Sequence, residues 1–271
     1  MTVAALGLLS LSDVPRVELR EPPLAVALFQ VRFEALANIQ DAITIAPFHT
    51  AIRTIFPRST IAPNQMHLEL NPEGMTQRVG AYQWVFGDEG DVWHVVLAAD
   101  AMTLETRRYA RFDEFLTRLS VVLDALQTEI RPGPVRRVGL RYVNEIRRSD
   151  GDWTRVIHPM LLGPLTEAAL AGKVVHSLQE VRLAFADGQW INVRQGLVPR
   201  GSTVQPPPGD SDAETPFYLL DYDIYQEIPP ETVVLLERDV LCSQVQAFHD
   251  DIHRLFRWSV TDAYIAEMAA E

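Results

Sequence analysis

Apolar and polar residues along this chain fall into two periods, one of two residues and one of three to four. EPPLAVALFQVRFEAL opens on Pro22-Pro23 and continues as a mostly apolar strand from Leu24 to Phe33. FHTAIRTIFP (48–57) has helical spacing and stops at Pro57. MHLEL (66–70) alternates and runs into the turn signal NPEG, after which AYQWVF, the turn GDEGD and VWHVVLAA read as a β-hairpin. A further strand, Met102 to Tyr109, leads into a helix over Phe112–Ile130. There Phe112, Phe115, Leu116, Leu119, Val122, Leu123 and Leu126 recur at helix-stripe spacing. On that strand Glu105, Arg107 and Tyr109 share one face, and Leu104, Thr106 and Arg108 share the other. Asp113 and Glu114 fall in the first helical turn, where the helix dipole favours carboxylates. RPGP ends the helix, and VRRVGLRYVNEI follows as another strand.

The second part of the chain echoes the first. RSDGDW (148–153) marks a boundary, and HPMLLGPLTEAALAG reads as a helical stretch. VVHSLQEVRLAF, the turn ADGQ and WINVRQGLV form a second hairpin. Residues 199–216, PRGSTVQPPPGDSDAETP, are rich in Pro, Gly and Ser and read as a mobile loop. FYLLDYDIYQEI is a strand, and Val240 to Phe256 is a helix with Leu241, Val245, Phe248, Ile252 and Leu255 on one face. The predicted class is α+β, in two related halves, each a mainly antiparallel sheet with a long amphipathic helix. The predicted limits are an arm at 1–21, one half at 22–148 and the other at 149–271. Hairpin, strand and long helix in the same order twice suggest an internal duplication.

Composition changes this picture in three ways. First, 271 residues, 47% of them hydrophobic and 22% charged, can bury a sizeable core. Second, the net charge of −12 opposes non-specific nucleic-acid binding, so no nucleic-acid partner is expected. That charge is uneven, −2 over residues 1–150 and −10 over 151–271. Third, MTVAALGLLSLSDVP is apolar for about ten residues, without a preceding basic region and too short to span a bilayer, so a cytoplasmic protein with no membrane partner is expected. The single cysteine, Cys242, rules out an internal disulfide and any multi-cysteine metal site, and it sits among apolar helix positions as a small hydrophobe.

Five motifs carry a family resemblance: PPLAVALFQVRF, LETRRYARFDEFL, VGLRYVNEI, LLDYDIY and FHDDIHRLFRWSVTD. In this order, from Pro22 to Asp262, the chain resembles a sporadically distributed family of uncharacterised prokaryotic proteins. The strongest matches are Glu105-Thr106 with Tyr109, and Arg141-Tyr142-Val143-Asn144. His249 and Phe256 also match, whereas His253 is peculiar to this chain. The resemblance implies one continuous architecture with no agreed activity, cofactor or substrate. Sporadic distribution suggests an accessory role in defence or a toxin–antitoxin setting.

The candidate chemistry is sparse. P-loop, GxGxxG and GxSxG motifs are absent, and no cofactor is expected. His249 and His253, four apart on a helix, could give two ligands to zinc, but HDDIH lacks the glutamate of a metalloprotease and a third ligand. A satisfied His249 and a solvated His253 is the simpler reading. Asp221 and Asp223 share one strand face, opposite Leu220, Tyr222 and Ile224, and could bind a cation, act as acid and base, or pair with arginine. Arg137 and Arg141 alternate in the same way on VRRVGLRYVNEI, so the two strands are expected to meet with carboxylates facing guanidiniums. The candidate ligand- or partner-binding residues are therefore Glu105, Arg107, Tyr109, Arg137, Arg141, Asn144, Asp221 and Asp223, with no catalytic set. The preferred function is a non-catalytic protein that binds a protein or peptide. The alternative is an enzyme acting on an anionic, phosphate-bearing substrate, with Arg137 and Arg141 holding it and a divalent cation on the aspartates. A homodimer through an exposed sheet edge is a third expectation, with oligomeric state unset by the sequence.

Overall fold

The alternation in LAVALFQVRF produces β1 (Leu24–Phe33), with Phe29, Val31 and Phe33 buried and Gln30 and Arg32 half-buried. The computed structural model describes residues 19–39, 41–62, 69–71, 74–76, 82–148, 150–199 and 216–269, with 9, 11 and 17 besides. Most of the expected N-terminal arm, residues 66–68 of MHLEL and nearly all of the expected loop at 199–216 lie outside these residues.

The fold is α+β. Nine strands form one large antiparallel sheet in the order β2-β5-β6-β7-β1-β8-β11-β10-β9. They are β2 (Arg58–Ala62), β5 (Gln83–Gly87), β6 (Trp93–Ala98), β7 (Ala101–Thr106), β8 (Val135–Arg147), β9 (Ser177–Ala184), β10 (Gln189–Val198) and β11 (Phe217–Glu227), together with β1. A separate two-stranded sheet pairs β3 (Glu69–Asn71) with β4 (Gly74–Thr76). The helices are α1 (Ala42–Ile52), α2 (Phe112–Ala125), α3 (Pro159–Leu162), α4 (Arg238–Ser259) and α5 (Asp262–Met268). None of them is long and apolar enough to cross a membrane.

The chain forms two compact units. Unit 1 comprises residues 1–27, 139–226 and 243–271, and unit 2 comprises 28–138 and 227–242. In unit 2 the hairpin β5–β6 and strand β7 bury Phe86, Val95, Leu97, Met102 and Leu104 on the face that also receives Phe48 of α1 and Phe115, Leu119, Val122 and Leu123 of α2. Ring centroids lie 5.6 Å apart for Phe48 and Phe86 and 5.8 Å apart for Trp93 and Phe115. In unit 1 the even positions of β11, Tyr218, Leu220, Tyr222 and Ile224, are buried on the side of α4, whose Val245, Phe248, Ile252 and Leu255 are also buried. The Gln244 side-chain amide reaches Gln226 Oε1 at 2.7 Å across that contact.

Four expectations shift. The helix predicted over 48–57 runs instead over Ala42–Ile52. The Asp41 carboxylate accepts the Ile43 N–H at 3.0 Å and starts the helix early, and Pro47 is tolerated inside. The stretch HPMLLGPLTEAALAG is broken into α3 and short 3-10 turns, because Gly163 takes φ 51° and Pro164 has no N–H to continue the ladder. The strand predicted to Tyr109 ends at Thr106, whose Oγ1 accepts the Arg108 N–H at 3.2 Å and turns the chain toward α2. Helix α5 had no counterpart in the expectations. It is capped by Thr261 Oγ1, which takes the Tyr264 N–H at 3.1 Å.

One glycine is required by a close approach. Gly196 in β10 has φ 145°, and a Cβ there would lie 1.8 Å from the Ser177 carbonyl oxygen of β9. Gly196→Ala is expected to destabilise the protein by about 2 kcal/mol or more, read as a lower urea midpoint. An unchanged midpoint would contradict this contact.

Candidate functional site

The half-exposed face of the unit 1 sheet carries a row of alternating charge. Strand register places Glu180 of β9 opposite Arg194 of β10, and Arg194 opposite Asp221 of β11. Arg141 of β8 closes the row: its Nε donates to Asp221 Oδ1 at 2.8 Å and its Nη2 to Oδ2 at 2.7 Å. Arg194 Nη2 donates to the same Oδ2 at 2.8 Å. The contact expected between the two strands is thus present for Arg141 and Asp221. It exists because period-two alternation puts Arg141, Arg194 and Asp221 on one face while Leu140, Val193 and Leu220 are buried on the other.

Asp221 keeps only 5% of its side-chain surface, whereas Arg141 and Arg194 keep 35% and 39%. A carboxylate buried to that degree needs charged donors, and here it has three N–H groups from two guanidiniums. The hydrogen bond to Asp221 holds the Arg141 pKa above its ordinary value, with the charges of Asp221 and Asp223 adding to the shift and burial opposing it. A second row runs Arg182, Asn192, Asp223, and a third runs Ala184, Trp190, Tyr225. The Arg182 guanidinium lies 4.1 Å from the Trp190 ring centroid and 5.7 Å from that of Tyr225. Among the described residues, Trp190 Nε1, Asn192 Oδ1 and Arg194 Nε are buried without a partner, so they are shut off from a solvent-borne ligand.

The remaining candidates are divided between the units. In unit 1, Asn144 is buried and its Nδ2 donates to the Leu220 carbonyl at 3.1 Å, a cross-strand tie. His249 is also buried, with Nδ1 3.1 Å from the Tyr142 hydroxyl and the rings edge to face at 5.8 Å. His253 is half-buried. Among the described residues no group of three or more His, Cys, Asp or Glu side chains is placed to hold a metal ion. In unit 2, Arg137 Nη1 donates to Gln30 Oε1 at 3.4 Å, and Gln30 Nε2 donates to Thr103 Oγ1 at 3.2 Å. Glu105 lies 3.9 Å from His94 Nδ1, and His94 Nε2 lies 3.2 Å from Asp91. That contact with His94 holds the Asp91 carboxyl below its ordinary range, with the charges of Arg58 and Arg107 assisting against burial. Arg107 follows β7, its N–H on the Val92 carbonyl at 3.3 Å, and the Tyr109 ring sits 6.2 Å from Phe115. Tyr109 is half-buried beside α2.

No family model and no curated protein matches the chain.

These groups meet in ion pairs, hydrogen bonds and ring contacts. Burial pushes the hydroxyls of Tyr218 and Tyr222 up and takes Tyr264 to about 12, all away from proton transfer near neutrality. Burial likewise pushes the Cys242 thiol up, against the nearby Arg238 charge. Arg194, Glu180 and Arg182 did not stand out in the sequence, although WINVRQGLV alternates visibly. Their signal is the register against β11, which local pattern does not carry.

Asp221→Ala leaves two guanidiniums facing each other and is expected to lower stability by about 2–3 kcal/mol. This is below the range for fully buried pairs, because both arginines keep about a third of their surface in water. Arg141→Ala should lower it by only about 1 kcal/mol, since Arg194 still holds the carboxylate. Equal losses by urea titration would contradict this division. The Cys242 thiol should alkylate with iodoacetamide several-fold more slowly than a free cysteine at pH 8.5 and equally fast in urea. Equal rates in both conditions would contradict its burial.

Proposed function

We propose that this protein is a non-catalytic interaction protein that takes up an extended protein or peptide segment along the outer edge of β9 by strand addition. One observation carries the reading: β9 ends the strand order, and six of its eight residues are exposed. An unpaired strand edge is a row of backbone donors and acceptors awaiting a partner. Such edges are usually blunted by proline, a bulge, shortness or charge; SLQEVRLA has no proline or glycine, runs eight residues, and carries one charge of each sign, Glu180 and Arg182. Exposed Val175, Leu178 and Val181 add apolar surface beside it. The enzyme alternative loses support from the same face, because Arg141 and Asp221 neutralise one another in place of holding an anion and a cation.

We also propose, on element order alone, that the chain descends from a duplication: β5–β6, β7, α2 in one part and β9–β10, β11, α4 in the other. Superposition of these segments with mismatched strand directions would remove that idea. The resemblance to a sporadically distributed prokaryotic family makes an accessory role in defence or a toxin–antitoxin setting the proposed context.

The test of the binding reading is a benzophenone amino acid in place of Leu178, photolysed in the native host. A covalent adduct of one mass is expected, and it should disappear with Glu180→Pro, which removes a backbone N–H on the outer edge. No adduct would overturn the reading, and turnover of a phosphate-bearing small molecule would then favour the enzyme alternative.

A further inference from the structure

We infer that the segment received by β9 is β9 of a second copy, paired antiparallel about a two-fold axis at Val181; this rests on the edge-binding reading above. The backbone decides which groups are on offer. Phe185 N–H donates to the Gln189 carbonyl at 2.9 Å, at the turn end of the β9–β10 ladder. Hydrogen-bonded and non-bonded pairs alternate along an antiparallel ladder, and the β9–β10 register is unbroken from Ala184–Trp190 to Leu178–Gly196. The odd residues of β9 therefore spend their N–H and C=O on β10. Leu178, Glu180, Arg182 and Ala184 direct theirs outward. Among the described residues these four present eight unpaired backbone groups in one line.

Charge then selects the occupant and the register. If a two-fold axis stands perpendicular to the sheet, side chains keep their face, so even residues meet even residues. An axis at Glu180 would set Glu180 against its own copy, and an axis at Arg182 would do the same to Arg182. An axis at Val181 sets Glu180 against Arg182 of the second copy twice, by symmetry. It also places Leu178 opposite Ala184 twice and Val181 opposite itself. All eight outward backbone groups find partners in that register. Arg182 is already held, its guanidinium resting on Trp190 and Tyr225, so the incoming Glu180 meets a cation whose position is set beforehand. The strand is thus self-complementary in hydrogen bonding, charge and apolar surface, and the partner chemistry it fits is its own.

The experiment is sedimentation velocity over a dilution series on the full chain, with Glu180→Arg and Arg182→Glu studied singly and mixed. Wild type is expected to dimerise. Each single variant turns two attractions into two repulsions and should weaken self-association by about tenfold or more. An equimolar mixture should restore a heterodimer, because the two arginines on β9 of one variant then face the two glutamates on β9 of the other. Rescue on mixing also shows that both variants are folded. A wild-type chain that stays monomeric at every concentration overturns the inference, as does a dimer indifferent to both substitutions. If the chain is monomeric but the Leu178-site crosslinker forms an adduct with a different protein, the second-copy inference falls and the edge-binding reading stands. If it is monomeric and no adduct forms, both fall.

Discussion

A carboxylate that keeps a twentieth of its surface, in the middle of a sheet, has to be paired, and the organisation of unit 1 follows from how Asp221 is paired. Its partners come from the strands on either side, Arg141 on β8 and Arg194 on β10. A slip of two residues in either neighbour keeps the apolar face inward, but it carries a guanidinium away from Asp221 and sets Asn192 or Gly196 of β10, or Gly139 or Val143 of β8, in its place. The pairing therefore selects one register among those that hydrophobic alternation alone would allow. Once β10 is placed, the tight turn at Ala186–Gly188 places β9, and the edge strand stands outermost.

Several of the conspicuous polar residues have partners within the chain. Asn144 ties β8 to a carbonyl of β11, His249 is fixed by Tyr142, and Arg137 is engaged by Gln30. Along the row Glu180, Arg194, Asp221, Arg141 the charges alternate in sign. Among the described residues, what it leaves unpaired is the outward-facing backbone of β9. That is why the functional reading rests on a strand edge and not on a side-chain cluster.

Much of this could be read from the residues. The strands LAVALFQVRF, VRRVGLRYVNEI and FYLLDYDIYQEI read as apolar or alternating stretches bounded by turn signals, and they form with nearly the expected ends. The contact of Arg141 with Asp221 was accessible because each side chain's face follows from alternation. Arg194 was not, because its place opposite Asp221 depends on how β10 and β11 register across the long connection between them. Local capping moved other limits. Asp41 starts α1 before the spacing suggests, and Thr106 ends β7 before Tyr109. The edge position of β9 is a property of strand order, which no window of sequence contains; its exposed Leu178 and Val181 look in isolation like those of any hairpin strand.

Residue-resolved amide exchange in dilute protein measures the central claim directly, since it reads the ladder and the edge together. The account predicts slow exchange through the paired segments of β10 and β11 around Arg194 and Asp221. On β9 it predicts alternation, with the odd amides slow and those of Leu178, Glu180, Arg182 and Ala184 fast. Uniformly slow exchange along β9, or fast exchange across β10 and β11, would contradict it.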